Sequence, residues 1–184
     1  MLRKSIISCS FATGLAVAAN APLAQTSNPQ SNSLSALNQQ FVQSAMEDEI
    51  FEITLGVLAQ VNGRSEKVLR LGEMIDKDLG HHWPELVDAA KQLGLIPPKV
   101  IDVTKKPIYD RLYNLSGKQF DQAFLKTVVS VYEKNLDAYE NEAKSDSRIG
   151  AWARQIIPLL EKHLQAAQLL SEESAQDNNV VGTP

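Results

Sequence analysis

Residues 95–116, LIPPKVIDVTKKPIYDRLYNLS, join two pairs of amphipathic segments and decide how the chain folds. Pro97 and Pro98 end the helix before them, because proline lacks a backbone N–H and clashes with the preceding turn. Residues 107–114 predict one short helix within the connection. The connection, about 22 residues long, exceeds the roughly 2 to 8 residues that usually join neighbouring helices in bundles. The topology therefore depends on where this connection leads.

Two helices are predicted before the connection. Apolar residues recur every three or four positions from Leu37 to about Asn62, without an internal proline, which predicts an amphipathic helix. Ser65 can cap the next helix, whose apolar positions extend to Leu93. Pro84 lies inside this second run, and we expect a kink there rather than two separate helices.

Two further helices are predicted after the connection. Ser116 opens a capping-box pattern, and apolar residues follow at helical spacing as far as Tyr139. Ser147 belongs to a Ser-Asp-Ser cap for the last helix, which we expect to end near Leu170 and to bend at Pro158. No segment alternates apolar and polar residues as a half-buried strand does. The predicted fold class is therefore all-α.

The four predicted helices indicate a four-helix bundle over residues 37–172. A long middle connection is typical of ferritin-like bundles, in which it crosses the length of the bundle and makes the second and third helices parallel. An up-down-up-down bundle is the alternative, and it makes these two helices antiparallel. The sequence favours the ferritin-like arrangement with a short helix in the connection.

The first residues have the pattern of a secretory signal. Arg3 and Lys4 precede an apolar run at 6–19, which is too short and too rich in alanine and serine to span a bilayer comfortably. We expect a signal peptide at 1–24, a flexible linker at 25–36 and a disordered tail at 173–184. Cys9, the only cysteine, leaves with the signal, so we expect a mature chain without disulfides.

Charge and hydropathy narrow the choice of partners. The chain has 18 basic and 22 acidic residues, a net charge of −4, and removal of Arg3 and Lys4 makes it more negative. This excess argues against nucleic acid as a partner. We expect an exported, periplasmic protein whose mature chain has no transmembrane span. An envelope protein is a candidate partner, and association with the outer membrane stays open.

Five short stretches carry a resemblance to a known family. They are FVQSA at 41–45, EITLG at 52–56, FDQAF at 120–124, YENEA at 139–143 and PLLEKHL at 158–164. In this order they resemble DUF4142, a bacterial family of exported ferritin-like bundles of unknown function that is often labelled as outer membrane proteins. The resemblance covers most of residues 41–170.

The resemblance also implies a polar level inside the bundle, where this chain departs from the family. The family has an Asp-His pair in the second helix, another in the third, and a histidine in the fourth. Leu79 and Tyr132 replace the first two histidines, and only His163 remains. Counted from the helix ends, these positions and Glu52 lie roughly eleven to seventeen residues in, so they can share one level. A metal centre there would have lost most of its imidazole ligands.

A small set of side chains is nevertheless able to bind a transition metal. The candidates are Glu52, Asp78, His81, His82 and His163. Asp78, His82 and Glu85 fall on one face of the second helix, although a solvated polar face is the simpler interpretation. His163 lies on the apolar stripe of its helix, where a neutral imidazole bonded to Glu52 or Tyr132 is a sufficient structural account.

Two functions follow from these patterns. The leading hypothesis is a non-enzymatic structural, stress-related or partner-binding module of the cell envelope, without cofactor and without catalytic residues. The alternative is a metal-binding or redox protein of ferritin-like ancestry that holds iron, manganese or zinc. No nucleophile motif or phosphate-binding glycine loop supports hydrolase or nucleotide chemistry.

Overall fold

The computed structural model describes the backbone of residues 29–181 and the side chains of residues 36–176. The backbone forms five α-helices: α1 Pro29–Asn62, α2 Glu66–Gln92, α3 Lys106–Tyr113, α4 Gly117–Ala143 and α5 Arg148–Val181. Residues 29–181 contain no strand, so the all-α prediction is confirmed. None of these helices has the length and hydropathy that a bilayer crossing requires.

The first and last helices are longer than the sequence pattern predicts. α1 begins at Pro29 and α5 continues to Val181, so most of the stretches predicted as linker and tail are helical. Proline is well suited to the first helical position, and a helix extends at little cost through residues without glycine or proline. Leu37, at which the apolar spacing of the first helix starts, is 60% exposed. The predicted signal segment at 1–24 lies outside the described residues.

The predicted helix starts are largely confirmed. The hydroxyl oxygen of Ser65 accepts a hydrogen bond from the backbone N–H of Lys67, and that of Ser147 accepts one from Gly150. Ser116 is the N-cap residue of α4, but its side chain forms no capping bond. α2 continues through Pro84 and α5 through Pro158, while the expected bends stay predictions.

Contacts at the helix ends give the direction of each helix. Gln39, early in α1, donates to the carbonyl of Leu93 just after α2. The backbone N–H groups of Arg64 and Ser65, between α1 and α2, both donate to the Asp121 carboxylate at the start of α4 at 2.9 Å. α2 and α4 therefore start at the same end and run in the same direction, so the connection between them travels the length of the helices.

A single ion pair holds this connection against the middle of α1. Lys105 forms a partly buried salt bridge with Asp48, and its ammonium group lies 5.4 Å from the ring centroid of Phe51. A charge pair beside an aromatic ring is stronger here than at a fully hydrated surface. The pair therefore fixes the path of the connection just before α3.

Packing places each long helix between two others. α1 packs against α2 and α4, and α5 packs against the same two helices. The core between them is built from large apolar side chains, and α3 contributes Leu112 to it. Representative fully buried residues are Phe51, Leu79, Leu112, Phe124 and Ile156. Burying each such side chain stabilises the fold by roughly 1.5–3 kcal/mol.

Two glycines bring α1 and α2 into very close contact. A Cβ atom built on Gly56 would lie 2.7 Å from the carbonyl oxygen of Gly72. A Cβ atom on Gly72 would lie 2.6 Å from the Ala59 Cβ and 2.6 Å from the Gly56 carbonyl oxygen. Backbone atoms cannot move aside as flexible side chains do. Glycine is therefore required at both positions by space, not by backbone conformation.

We predict that Gly72→Ala destabilises the protein, because the added methyl group overpacks the contact between α1 and α2. The expected loss in unfolding free energy is about 1–3 kcal/mol, measured by denaturant unfolding. Gly80→Ala is the matched control in the same helix, since a Cβ atom added to Gly80 would meet nothing within 4 Å. It should raise stability by up to about 1 kcal/mol. Equal effects of the two substitutions would contradict this account.

Candidate functional site

Helix α1 buries two carboxylates in the interior. Glu49 is 0% exposed and Glu52 is 3% exposed. They are three residues apart and continue the helical stripe formed by the buried Val42 and Met46, so the same periodicity that builds the core carries them inward. Two acids so close together inside a protein cannot both be charged without a large cost in free energy.

Glu49 has no hydrogen-bonding partner for either carboxylate oxygen among the described residues. Burial raises the pKa of Glu49 well above its usual range, and the charges of Glu52 and Asp48 raise it further. A protonated carboxyl group avoids most of the desolvation cost that a carboxylate would incur. Glu49 therefore keeps its proton to a pH well above that at which a solvated glutamate releases it.

Glu52 is partnered but also holds its proton. The Asn135 amide donates to Glu52 Oε1 at 2.9 Å. Burial, followed by the Asp48 charge, raises the pKa of Glu52 to about 8, although its hydrogen bonds with Asn135 and Tyr132 and the Lys105 charge act to lower it. Glu52 is therefore mostly protonated at neutral pH.

A chain of polar side chains links this interior to the surface. The Tyr132 hydroxyl in α4 lies 3.3 Å from His163 Nδ1 in α5, and His163 Nε2 lies 3.0 Å from Asp78 Oδ2 in α2. Lys162 donates to the same Asp78 oxygen at 3.1 Å. His163 and Tyr132 are buried, whereas the side chain of Asp78 is 27% exposed. These hydrogen-bonded side chains thus extend from the core to solvent across three helices.

The partners of His163 determine which ring nitrogen carries the proton. Burial alone would raise the pKa of Asp78, but hydrogen bonds from His163 and Lys162 hold it below its usual value. An ionised carboxylate only accepts hydrogen bonds, so His163 Nε2 must be the donor. In the neutral imidazole Nδ1 then accepts from the Tyr132 hydroxyl. Burial lowers the pKa of His163, with Asp78 opposing, which favours this neutral form.

The structure joins only some of the candidate residues that the sequence predicts. Glu52 and His163 are both buried, and Tyr132 connects with His163 as expected. Asp78 faces α5, where it bonds to His163 and Lys162, and among the described side chains it forms no hydrogen bond with His82 or Glu85. Helical spacing places Asp78, His82 and Glu85 on one broad face of α2. It does not show which of them contacts a neighbouring helix and which faces solvent.

His81 and His82 lie apart from this chain of side chains. Their rings contact each other edge to face, with centroids 5.3 Å apart. His81 is exposed and His82 is half-buried. Neither forms a hydrogen bond to Asp78 or His163 among the described side chains. The two histidines therefore add no ligand to the interior level.

The residues at this level do not fit the metal centre that the family resemblance implies. Leu79, where the resemblance implies an imidazole, is fully buried and cannot coordinate. Both ring nitrogens of His163 are already engaged, by Tyr132 and by Asp78. Within the described part of the chain, no three His, Cys, Asp or Glu side chains form a group that could hold a metal ion.

Three clefts on the described surface are lined by residues other than Glu52, Asp78, Tyr132 and His163. A cleft of about 500 Å³ lies where α2 and α4 begin and includes Lys67, Asp121 and Glu173. A second, of about 330 Å³, lies between α3 and α4, and a third, of about 380 Å³, lies between α2 and α5. A small molecule in any of these three clefts would therefore not contact Tyr132 or His163.

Sequence reasoning missed two members of the interior level, Glu49 and Asn135, and the exposed partner of Asp78, Lys162. Glu49 was detectable, because it continues the spacing of Val42 and Met46 on the buried stripe. Asn135 and Lys162 gave no comparable signal, since polar residues on long helices usually face solvent. Their roles depend on which residue of a neighbouring helix lies opposite.

The comparisons with known proteins agree with the family resemblance. A family model described as "Domain of unknown function (DUF4142)" matches residues 23–170. Comparison with curated proteins and with solved structures returned no match. The match spans nearly all of the described helical region and includes Glu52, Tyr132 and His163.

We predict that Glu52→Gln makes stability less dependent on pH. Because folding raises the pKa of Glu52 from about 4.5 to about 8, the folded state keeps a proton that the unfolded chain releases in this interval. The contribution of Glu52 to stability is therefore complete below about pH 4.5 and is lost as the pH rises to about 8. The neutral glutamine amide does not incur this loss, which is on the order of a few kcal/mol.

The measurement is the unfolding free energy of wild type and variant across this pH interval. His163, whose depressed pKa acts in the opposite sense, is common to both proteins and cancels in the comparison. Glu73→Gln is the control, because Lys77 lowers the pKa of this exposed acid and keeps it ionised. An unchanged pH profile for Glu52→Gln would show that Glu52 is not protonated in the fold.

Proposed function

The chain belongs to the DUF4142 family, and we propose that this member is an exported, non-enzymatic helical module of the cell envelope. Its role is structural or partner-binding, including service under envelope stress. The observation that carries this proposal is the enclosure of its interior polar chain. His163 is fully buried with both ring nitrogens engaged, so no substrate can reach it without disrupting the packing.

The proposed architecture is a four-helix bundle of ferritin-like arrangement. It is supported by the shared direction of α2 and α4 and by the connection that travels between their opposite ends. An up-down-up-down bundle would need antiparallel α2 and α4. The short helix α3 packs against α1 and α4 and belongs to the connection, not to the bundle of four long helices.

Export is supported by the sequence before the described helices. Arg3 and Lys4 followed by an apolar run and small residues are typical of a secretory signal. The proposed mature protein begins near Gln25 and resides in the periplasm. Its remaining residues contain no cysteine, so its stability there depends on packing and not on disulfides.

A partner-binding role is supported by the connection between α2 and α3. Ile96, Val100 and Val103 are all strongly exposed on this non-helical segment. Aliphatic side chains at such positions do not stabilise the core and are available for contact with another surface. An enclosed interior combined with an exposed apolar connection favours binding over catalysis.

We predict that the purified mature protein holds no stoichiometric iron, manganese or zinc. The reason is the donor set, in which Leu79 and Tyr132 replace ligands and His163 is already engaged. Elemental analysis and thermal unfolding with and without a chelator measure this directly, since a bound metal stabilises the fold and its removal lowers the Tm. Stoichiometric metal that disappears in His163→Gln would overturn the proposal in favour of a metal-binding protein.

We also predict that the chain is processed and released into the periplasm. Cell fractionation should recover a shortened protein in the soluble periplasmic fraction, with a new N-terminus near Gln25 by mass spectrometry. Deletion of residues 2–24 is the control and should retain the protein in the cytoplasm. Recovery of the mature chain in a carbonate-washed membrane pellet would contradict a soluble periplasmic location.

A further inference from the structure

We propose that Tyr132 is a redox-active tyrosine whose one-electron oxidation is coupled to transfer of its hydroxyl proton to His163. The proposal goes beyond a structural or partner-binding role and is independent of it. It rests on the buried contact between the Tyr132 hydroxyl and His163 Nδ1, 3.3 Å apart, and on the bond from His163 Nε2 to Asp78. The site is distinct from the three surface clefts.

The environment makes the imidazole the natural destination for the proton. A phenol becomes strongly acidic when it loses an electron, so oxidation requires a base within hydrogen-bonding distance. Tyr132 and His163 are both enclosed, and bulk water does not contact either side chain. Glu52, the neighbouring acid, holds its own proton below about pH 8 and accepts none there. His163 Nδ1 is then the base that faces the hydroxyl.

Asp78 prepares His163 for this role. By accepting from Nε2–H it leaves the Nδ1 lone pair directed toward Tyr132, and its negative charge stabilises the imidazolium that forms. Lys162 keeps Asp78 ionised from the solvent side. Asp78 is therefore a positioning residue, because it acts on Tyr132 only through His163.

Oxidation of Tyr132 requires an external oxidant that accepts one electron. Tyr132 loses one electron to a one-electron oxidant, such as an oxidised metal complex or an oxyl radical, which is reduced. The O–H bond of Tyr132 breaks and a new N–H bond forms at His163 Nδ1. The products are a neutral phenoxyl radical at Tyr132 and an imidazolium at His163 paired with the Asp78 carboxylate. The return of one electron and the proton restores the starting state.

Tyr139 provides a built-in comparison. It is as deeply buried as Tyr132 and lies in the same helix, but its ring contacts are Phe41 and Trp152 rather than an imidazole. Burial raises the pKa of both phenols well above its usual value, so neither ionises before oxidation. A difference in their oxidation would therefore report the imidazole and not burial.

The chain has four tyrosines, and the test uses two variants that each keep only one of them, either Tyr132 or Tyr139. Tyr109→Phe/Tyr113→Phe/Tyr139→Phe retains Tyr132, and Tyr109→Phe/Tyr113→Phe/Tyr132→Phe retains Tyr139. Photogenerated tris(bipyridine)ruthenium(III) is the oxidant, and the phenoxyl radical is followed by transient absorption and electron paramagnetic resonance. Circular dichroism and thermal unfolding establish that each variant is folded.

The protein that retains Tyr132 should form a neutral phenoxyl radical, and the rate of its formation should fall in D₂O. The protein that retains Tyr139 should form far less of the radical. His163→Gln in the first background should slow oxidation of Tyr132 by roughly 10²-fold, the usual contribution of a positioned base. Equal rates with and without His163, or equal yields from Tyr132 and Tyr139, would overturn the proposal.

A second substitution keeps the test decisive if His163→Gln does not fold. Asp78→Asn alters a partly exposed side chain, and so is far less disruptive to packing. It removes the charge that stabilises the imidazolium and should also slow Tyr132 oxidation while leaving the Tyr139 radical unchanged. An unchanged Tyr132 rate in folded Asp78→Asn would count against the coupling.

Discussion

The backbone contact between Gly56 and Gly72 is the constraint from which the interior follows. Because neither position tolerates a Cβ atom, α1 and α2 can approach closely only in one register. At 1.5 Å per residue, Glu52 lies one turn before Gly56 and Asp78 less than two turns after Gly72. The two helices run antiparallel, so both acids are displaced toward the same end of the protein. A change of register would separate them from their partners on α4 and α5.

This register places polar groups in the core, where a polar group without a hydrogen-bonding partner lowers the stability of the fold. Glu52 is hydrogen-bonded to Asn135, and its proton removes its charge. His163 is hydrogen-bonded to Tyr132 and Asp78. Glu49 has no such partner among the described residues, and burial raises its pKa well above the usual range. A buried polar network of this kind adds little to stability but opposes alternative packings, in which its members would be left unpaired.

The same interior limits what chemistry the protein can perform. Small molecules in these three clefts do not reach His163, and both of its ring nitrogens are engaged by Tyr132 and Asp78. Electrons and protons are not limited in this way, because they move between groups that are already in contact. An enclosed structural module and a redox-active tyrosine are therefore compatible in one protein. Tyr132, where the family resemblance implies a histidine, supplies the phenol of the phenol–imidazole pair.

The sequence by itself determined the helices, because apolar spacing, Ser65, Ser147 and the proline-rich connection act locally along the chain. It also indicated the family and the shared level of Glu52, Tyr132 and His163. Only the tertiary structure decided that Asp78 bonds to His163 and not to His82, that Glu49 is buried without a partner, and that Leu37 faces solvent. Each of these depends on which residue lies opposite on another helix, and helical periodicity specifies a face without specifying its neighbour.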